Sequence, residues 1–258
     1  MMKDLFSLEG RTAIVTGGSR GIGKMIAQGY VEMGAKVYIT ARKADACDAT
    51  AEELSKLGQC ISIPENLATV AGCQEFAKKF HAQEEAVDIL VNNAGAAWGA
   101  PFAEFPEAGW DKVMDLNVKS LFFLTQSLHE GLKKNASVDK LSKVINIASI
   151  DGLDVNSMET YSYQASKAAV IHLTRRMALR LIEDNIAVSA IAPGAFASEM
   201  NKMAKDQADM VASVVPSKRV GRDSDMAGTA VFLASRAGDY VIGDTLAVDG
   251  GMAYLKGH

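Results

Sequence analysis

Short apolar runs alternate with helix-length segments along almost the whole chain, and this alternation constrains the fold more than any other feature. Each run is long enough for one buried strand, and the segments between the runs have helical spacing of apolar residues. Strands and helices that alternate in this way form right-handed βαβ units and a parallel sheet with helices on both faces. The sequence therefore predicts an α/β fold with a doubly wound, seven-stranded parallel sheet. The predicted strands are residues 13–15, 36–40, 60–63, 87–91, 143–147, 187–191 and 245–248, and the predicted helices are residues 22–33, 44–57, 70–83, 109–133, 160–184 and 223–235.

The composition favours one large soluble domain. The chain has 258 residues, 48% of them hydrophobic, so it can bury a substantial core in a single domain over residues 1–258. Its net charge of −4 and its scattered Lys and Arg residues argue against nucleic acid and membrane surfaces as partners. No apolar stretch is long enough to span a bilayer, and Asp4 interrupts the segment where a secretory leader requires an apolar core. Because Cys47, Cys60 and Cys73 also lack metal-ligand spacing, we expect a cytoplasmic protein with reduced thiols and no metal.

A glycine-rich turn follows the first predicted strand and leads into the first predicted helix. Its sequence is Thr16-Gly17-Gly18-Ser19-Arg20-Gly21-Ile22-Gly23. Glycines let the backbone approach a phosphate closely, and the free N–H groups of a helix N-terminus point toward it. The spacing Gly-x-x-x-Gly-x-Gly differs from the standard dinucleotide fingerprint, so taken alone it also fits a plain structural turn. We expect a phosphate-bearing cofactor to contact Gly17, Ser19, Arg20, Gly21, Ile22 and Gly23.

The same turn also matches Gly-x-Ser-x-Gly, the nucleophile elbow of serine hydrolases, with Ser19 as the nucleophile. A hydrolase requires an acidic residue and then a histidine at later strand ends. The histidines instead fall within predicted helices or at the end of the chain, at His81, His129, His172 and His258. The hydrolase alternative therefore leaves the later motifs of the chain unexplained.

The end of the second predicted strand indicates which dinucleotide binds. NAD sites usually carry an Asp or Glu about 20 residues past the glycines, where it accepts hydrogen bonds from the adenosine ribose. Here the segment is Thr40-Ala41-Arg42-Lys43, which contains no acid. Arg42 and Arg20 could instead flank a 2′-phosphate, although each alone is also typical of a solvated surface charge. Their joint position beside the glycine turn predicts NADP(H).

Two further strand ends carry candidate cofactor residues. Pro64-Glu65-Asn66-Leu67 follows the third strand, and Asn92-Asn93-Ala94-Gly95 follows the fourth. Small and amide residues in the second segment leave room for a flat ring system against the backbone. The alternative is that the asparagines only tie neighbouring strands together by capping backbone groups.

Tyr163 and Lys167 form the candidate catalytic pair. They lie four residues apart in a predicted helix, so both side chains project from one face. A neighbouring ammonium favours the phenolate and lowers the pKa of a phenol from its usual value of about 10. Ser149, at the end of the fifth strand, can reach the same crevice. Since such a pair also occurs by chance on surface helices, it indicates a catalytic role only in combination with the motifs around it.

In combination, these motifs resemble the short-chain dehydrogenase/reductase family, and the resemblance covers essentially the whole chain. Within that family the chain is most similar to the NADPH-dependent 3-oxoacyl reductases of the rhamnolipid-type branch. The resemblance implies a Rossmann-like fold. The matching segments, in chain order, are Thr16-Gly17-x-x-x-Gly21-x-Gly23, Asn92-Asn93-Ala94-Gly95, Leu116-Asn117-Val118, Ser149, Tyr163-x-x-x-Lys167 and Pro193-Gly194.

The resemblance also implies an NADPH-dependent oxidoreductase that reduces a ketone to a secondary alcohol. Tyr163 would protonate the carbonyl oxygen, and Lys167 would lower the pKa of Tyr163 and hold the nicotinamide ribose. Ser149 would orient the carbonyl, and Asn117 would support a water that relays protons to Lys167. The implied cofactor contacts include Asn66, Leu67, Asn93, Ala94, Gly95, Tyr163, Lys167, Pro193, Gly194, Phe196 and Ser198.

The chain departs from the family pattern at several positions. Ser149 and Tyr163 are one residue farther apart than in most members, which places a small insertion within residues 151–160. Asn66 replaces the usual Asp at the adenine, and Ser198 replaces the usual Thr. These departures put the fit of the substrate in doubt more than the reaction.

Three substrate classes fit these features: a 3-oxoacyl thioester, a sugar or polyol of the gluconate type, and a diketone or other carbonyl compound. Residues 195–219 are expected to cover the site as a lid, with Met200, Met203 and Met210 either adapting to apolar substrates or packing on the core. The acidic segment 182–185 lies where carrier-dependent relatives are expected to use arginines, so we expect it to repel an acidic carrier protein.

The resemblance bears on assembly and on one remaining alternative. The predicted helices at residues 109–133 and 160–184 are expected to form the interfaces of a homotetramer or a homodimer. A non-catalytic NADPH-binding protein is the alternative, but it would be natural only if Tyr163 or Lys167 were replaced.

Overall fold

In the computed structural model, which describes residues 2–198 and 201–255, the seven predicted strands form one parallel sheet. The strands are β1 Thr12–Thr16, β2 Lys36–Thr40, β3 Cys60–Ser62, β4 Ile89–Asn92, β5 Ser142–Ile147, β6 Ile186–Pro193 and β7 Thr245–Val248. Their order across the sheet is β3-β2-β1-β4-β5-β6-β7. The chain order changes direction between β1 and β4, and ligands of such sheets bind beside this switch point, at the carboxyl ends of the strands. The predicted doubly wound α/β architecture is therefore confirmed, and the motifs that follow the strands share one edge.

Helices cover both faces of the sheet. They are α1 Met2–Phe6, α2 Gly21–Glu32, α3 Ala44–Leu54, α4 Val70–His81, α5 Glu107–Met114, α6 Ser120–Ser127, α7 His129–Lys134, α8 Tyr161–Leu181, α9 Lys202–Asp206, α10 Ala208–Val214 and α11 Asp223–Ala234. Ala13 and Val15 of β1 pack with α2, α3 and α11, whereas Ile14 packs with α4, α6 and α8 on the other face. Because both faces are buried, the strands are continuous apolar runs. Within residues 2–198 and 201–255, no helix is long and apolar enough to cross a bilayer.

The helix predicted over residues 109–133 is broken in the structure. A π turn at Asp115–Lys119 separates α5 from α6, and a further break separates α6 from α7. The π turn carries Asn117, whose side-chain amide bonds to the backbone of Ala96 and the hydroxyl of Ser166. Such turns often occur at functional sites, and apolar periodicity does not reveal them.

Residues 195–219, the predicted lid, contain the short helices α9 and α10. Buried residues of this segment form a small apolar core of their own, apart from the two main layers. Met203 and Met210 are 55% and 52% exposed. The alternative that these two methionines pack on the core is therefore wrong, and Met200 lies outside the described residues.

Candidate active site

The glycine turn between β1 and α2 presents an open anion site. Gly17 and Gly21 adopt left-handed φ angles of +64° and +53°, which favour glycine. A Cβ atom on Gly23 would lie 2.3 Å from the Gly17 carbonyl oxygen, so a side chain is excluded there. Helix α2 begins at Gly21, and the preceding Arg20 makes no side-chain cap hydrogen bond. The first N–H groups of α2 are therefore available to a phosphate.

Asn93 and Thr16 fasten the segment after β4 to the glycine turn. The Asn93 Nδ2 atom donates to the Thr16 carbonyl oxygen at 2.8 Å. The Thr16 hydroxyl oxygen accepts from the backbone N–H groups of Asn93 and Ala94, both at 2.9 Å. Asn92 similarly donates to Asn146 Oδ1 on β5 at 3.0 Å. The strand-tying role that the sequence left open is therefore present for both asparagines.

Two unpaired cations flank the glycine turn. The Gly18 N–H donates to the Thr40 carbonyl oxygen at 3.3 Å, which brings the end of β2 to the turn. Arg42 lies two residues beyond Thr40 and is exposed, as is Arg20. Neither guanidinium has a hydrogen bond or an ion pair with any residue that the structure describes. Two free guanidinium groups, with no acid at the end of β2, fit a 2′-phosphate better than ribose hydroxyls.

The remaining predicted cofactor residues lie at the same edge of the sheet. Gly21 approaches Ser198 so closely that a Cβ atom on the glycine would lie 3.3 Å from the serine Cβ. Asn66 uses its Oδ1 atom to accept a hydrogen bond from the N–H group two residues later, at 3.2 Å. Apart from Tyr163 and Lys167 on α8, the predicted cofactor residues thus fall in five segments, which are 17–23 after β1, Arg42 after β2, Asn66 and Leu67 after β3, 93–95 after β4, and 193–198 from the last residue of β6.

Ser149, Tyr163 and Lys167 meet at the end of β5. Ser149 is buried two residues beyond β5, and its hydroxyl lies close enough to the phenol of Tyr163, on the first turn of α8, to influence the pKa of that phenol. One helical turn later, the buried Lys167 donates from Nζ to the Ile147 carbonyl oxygen at 2.7 Å. The same Nζ atom lies 5.5 Å from the centre of the Tyr163 ring. The structure therefore brings the three predicted side chains into one crevice.

Burial controls the protonation of this group. It raises the pKa of Tyr163 to about 12, and the nearby Ser149 hydroxyl opposes this change only in part. Burial also lowers the pKa of Lys167 to about 8. Burial therefore outweighs any lowering of the Tyr163 pKa by Lys167, whose ammonium bonds to the Ile147 carbonyl rather than to the phenol. A phenol that stays neutral at physiological pH is suited to donating a proton.

Asn117 connects the segment after β4 to the helix that carries the lysine. Its Nδ2 atom donates to the Ala96 carbonyl oxygen at 3.0 Å and to the Ser166 hydroxyl oxygen at 2.9 Å. Its Oδ1 atom accepts from the Ala96 N–H at 2.8 Å. Both amide hydrogens are therefore used within the protein, so the side chain can offer a water only an acceptor. Ser166 directly precedes Lys167, which fixes the π turn relative to the lysine.

Asp151 also lies at this site and was missed from the sequence. Its backbone N–H donates to the Ser149 hydroxyl oxygen at 3.2 Å, and its Oδ1 atom accepts from Asn156 Nδ2 at 2.9 Å. Burial raises the pKa of Asp151, while the bond from Asn156 and the charge of Lys167 oppose the rise. The available signal was the spacing between Ser149 and Tyr163, which departs from the pattern of the family that the sequence resembles.

An apolar groove of about 830 Å³, here called the aromatic groove, lies beside the first turn of α8. Its wall is built from rings packed edge to face, with ring centres 5.5 Å apart for Phe102 and Tyr161 and 5.7 Å apart for Phe105 and Tyr161. Trp110 extends the wall, and Met158 from the loop after Ser149 contributes to the lining. The groove offers an apolar chain a surface adjoining the helical turn that carries Tyr163.

Of the two acids in the segment 182–185, Glu183 is exposed as we expected, whereas Asp184 is enclosed by partners. The Asp184 carboxylate lies 2.9 Å from Arg180 Nη1, 3.0 Å from His129 Nε2 and 3.6 Å from Lys133 Nζ. These partners are on α7 and α8 and surround a carboxylate whose side chain is only 15% exposed. Asp184 therefore contributes little free negative charge with which to repel a carrier protein.

The serine hydrolase alternative gains no support from the geometry. His81 bonds to the Glu84 carbonyl oxygen three residues later, His129 bonds to the Asp184 carboxylate, and His172 lies within α8. In the part of the chain that the structure describes, no histidine bonds to Ser19, and His258 lies outside that part. Among the described residues, a nucleophile at Ser19 would therefore lack its base.

Comparisons with known proteins agree with this geometry. A family model described as short chain dehydrogenase matches residues 11–209. A 3-oxoacyl-[acyl-carrier-protein] reductase of rhamnolipid biosynthesis from Pseudomonas aeruginosa is 45% identical over 253 residues, which cover 97% of this chain and 99% of the relative. A 5-keto-D-gluconate 5-reductase from Escherichia coli is 36% identical over 255 residues, which cover 97% of this chain and 98% of the relative.

A solved structure has the same fold over nearly the full length. The active-site complex of Pseudomonas aeruginosa RhlG with NADP matches with a TM-score of 0.94 and 43% identity, covering 97% of this chain and 99% of that chain. The family model matches most of the chain, and the two relatives span almost all of it. The chain therefore belongs to the short-chain dehydrogenase/reductase family and is an oxidoreductase of that family.

Proposed function

We propose that this chain is an NADPH-dependent reductase that converts the ketone of a 3-oxoacyl thioester to a secondary alcohol. The observation that carries the proposal is the position of Tyr163 beside the buried Ser149 and the buried ammonium of Lys167, whose Nζ atom lies 5.5 Å from the centre of the Tyr163 ring. The similar 3-oxoacyl reductase and the similar structure that holds NADP support the same reaction and cofactor.

The residues around the glycine turn fit NADP(H). The N-terminal N–H groups of α2, approached across Gly17 and Gly23, would hold the phosphates, and Arg20 and Arg42 would hold the 2′-phosphate. When bound, NADPH supplies the hydride that reduces the carbonyl carbon. Further contacts are assigned to Ser19, Gly21, Ile22, Asn66, Leu67, Asn93, Ala94, Gly95, Pro193, Gly194, Phe196 and Ser198.

Tyr163 and Ser149 act on the carbonyl oxygen of the substrate. The Ser149 hydroxyl orients this oxygen, and the Tyr163 phenol donates its proton as negative charge develops there. Because the pKa of Tyr163 is raised to about 12, the phenol holds this proton throughout the physiological range. The Lys167 ammonium favours the phenolate that forms once the proton has left. Asn117 is assigned the support of a water that relays a proton from solvent through Lys167, so that the Tyr163 phenolate regains the proton that it gave to the substrate.

The aromatic groove favours an acyl chain over a sugar acid. Its rings of Phe102, Phe105 and Trp110 offer apolar contact that an acyl chain can use and a polyol cannot. Glu159 lines the groove and Asp151 lies beside Ser149, so negative charge near the site opposes a gluconate carboxylate. A 3-oxoacyl thioester is therefore placed ahead of a gluconate-type substrate, with a diketone as the smaller alternative.

A lid and a subunit interface complete the proposal. Residues 195–219 cover the site within a domain that spans the chain, and the exposed Met203 and Met210 support contact with an apolar substrate. The chain assembles as a homotetramer or a homodimer through α6 and α8, whose Phe122 and Leu179 are 40% and 70% exposed. Light scattering tests the assembly, and a monomer would overturn it.

NADPH oxidation tests the proposed reaction. The panel consists of a medium-chain 3-oxoacyl-CoA, acetoacetyl-CoA, 5-keto-D-gluconate and a small diketone, each with NADPH and with NADH. We expect the highest kcat/KM for the medium-chain thioester with NADPH. Turnover of the keto-gluconate alone would show that the site serves sugar acids, and a preference for NADH would contradict the cofactor assignment.

A further inference from the structure

The ammonium of Lys167 is buried without an ion pair. Lys167 is 6% exposed, and its Nζ atom donates to the Ile147 carbonyl oxygen. Among the residues described, no carboxylate lies within 4.0 Å of this ammonium. A buried ammonium with only carbonyl contact is costly and favours the neutral amine. The proposed reaction needs the cation, so the site requires a counter-charge.

Asp151 is held where its charge reaches the catalytic pair. The turn Ile150–Gly152 follows Ser149 and packs on α8, so closely that a Cβ atom on Gly152 would lie 2.5 Å from the Lys167 carbonyl carbon. Within this turn, the Asp151 N–H donates to the Ser149 hydroxyl oxygen, and Asn156 donates to the Asp151 carboxylate at 2.9 Å. Backbone and side chain of Asp151 are therefore both anchored.

The charge of Asp151 affects two groups of α8, Tyr163 and Lys167. From its own loop the partner is the neutral amide of Asn156. A fixed negative charge stabilises a nearby cation and opposes the formation of a nearby phenolate.

We propose that the Asp151 carboxylate is a positioning residue of the reaction, the counter-charge that keeps Lys167 an ammonium and Tyr163 a neutral phenol. This inference rests on the proposed function for the identity of the reaction. Asp151 raises the pH at which Lys167 and Tyr163 lose their protons, and Asn156 keeps the Asp151 carboxylate in place. Asp151 and Asn156 both lie within residues 151–160, where the spacing between Ser149 and Tyr163 departs from the family pattern.

Asp151→Asn tests the inference with little change of shape, because an amide oxygen can still accept the bond from Asn156. In ketone reduction, kcat/KM should fall with rising pH about one unit earlier than in the wild type. Asp151→Glu keeps the charge and should restore the wild-type profile. Asp111→Asn removes an equal charge from the exposed side of α5 and should leave the profile in place. An unmoved profile in Asp151→Asn would overturn the inference.

Titration of Lys167 by NMR answers the same question without turnover. In protein with isotope-labelled lysine, the Cε resonance of Lys167, assigned with Lys167→Arg, should titrate about one unit lower in Asp151→Asn. If Asp151→Asn does not fold, Asn156→Ala releases the carboxylate and should move this titration in the same direction. Equal titration curves for Lys167 in the wild type and in Asp151→Asn would show that Asp151 is not its counter-charge, even if the enzyme reduces ketones. If the titration shifts but the enzyme reduces no ketone, the counter-charge role of Asp151 is supported and the proposed function is contradicted.

Discussion

The Nζ atom of Lys167 donates a hydrogen bond to the carbonyl oxygen of Ile147 at 2.7 Å, so the ammonium is anchored to the end of β5. It makes no direct hydrogen bond to the phenol of Tyr163, and Nζ lies 5.5 Å from the centre of the ring. Burial sets the pKa values of the two groups far apart, at about 8 for Lys167 and about 12 for Tyr163. Of these two groups, Lys167 therefore determines how the reaction depends on pH near neutrality.

The rate of ketone reduction should fall as the pH rises through about 8. Below that pH, Lys167 is an ammonium and Tyr163 is a neutral phenol, which is the form that donates a proton. Above it, Lys167 becomes neutral while Tyr163 keeps its proton, so the support for the forming phenolate is lost. The measurement is kcat/KM between pH 6 and 10 at constant ionic strength. A profile that stays flat or rises up to pH 10 contradicts the assignment.

Arg42→Ala should weaken NADPH binding about tenfold or more and leave NADH binding nearly unchanged, because a guanidinium–phosphate contact is worth about 1.5–3 kcal/mol. The dissociation constants are measured by the quenching of protein fluorescence. Lys43→Ala is the matched control, since it removes an exposed cation from the next position. Equal losses of affinity for NADPH and NADH would contradict the assignment of Arg42 to the 2′-phosphate.

Phe105→Ala should lower kcat/KM for a medium-chain 3-oxoacyl thioester about tenfold while changing that for acetoacetyl-CoA little. The ring lies in the wall of the aromatic groove, 5.7 Å from the ring of Tyr161, so its loss removes apolar contact with a long chain only. Tyr240→Ala, at a fully exposed position, is the control. A uniform loss across chain lengths would place the acyl chain elsewhere.

Asp239→Asn should lower the free energy of unfolding by about 3 kcal/mol, because it leaves a buried ammonium without its partner. Lys143 is 2% exposed on β5, and its Nζ atom lies 2.7 Å from the Asp239 carboxylate. Burial lowers the pKa of Lys143, and the contact with Asp239 opposes this change. Urea unfolding gives the free energies, and adding Lys143→Met to Asp239→Asn should recover much of the loss. An Asp239→Asn variant as stable as the wild type would show that the pair contributes nothing.

The fold was largely predictable because each strand is buried on both faces and therefore forms an apolar run. The bounds of β2, Lys36–Thr40, and of β7, Thr245–Val248, agree with the sequence-based prediction. The break at Asp115–Lys119 was not predictable, since the π turn brings Asn117 to Ala96 and Ser166, and Ala96 and Ser166 are both distant in sequence. Local sequence patterns do not reveal contacts between residues that are distant in sequence.

The meeting of Ser149, Tyr163 and Lys167 followed from spacing and from their place at a strand end and on a helix. Their protonation did not follow, because it depends on burial and on the bond to Ile147, which arise only in the folded chain. The same is true of Asp184, whose acidic sequence context gave no sign of the cations that surround it.

Turnover and NADPH binding by Tyr163→Phe test the proton-donor assignment most directly. The variant lacks only the phenolic hydroxyl, so we expect kcat for the 3-oxoacyl thioester to fall about a thousandfold. The dissociation constant for NADPH should stay within about twofold of the wild-type value, because the phosphate contacts at the glycine turn are untouched. A variant that still turns over, or one that no longer binds NADPH, would contradict the role given to Tyr163.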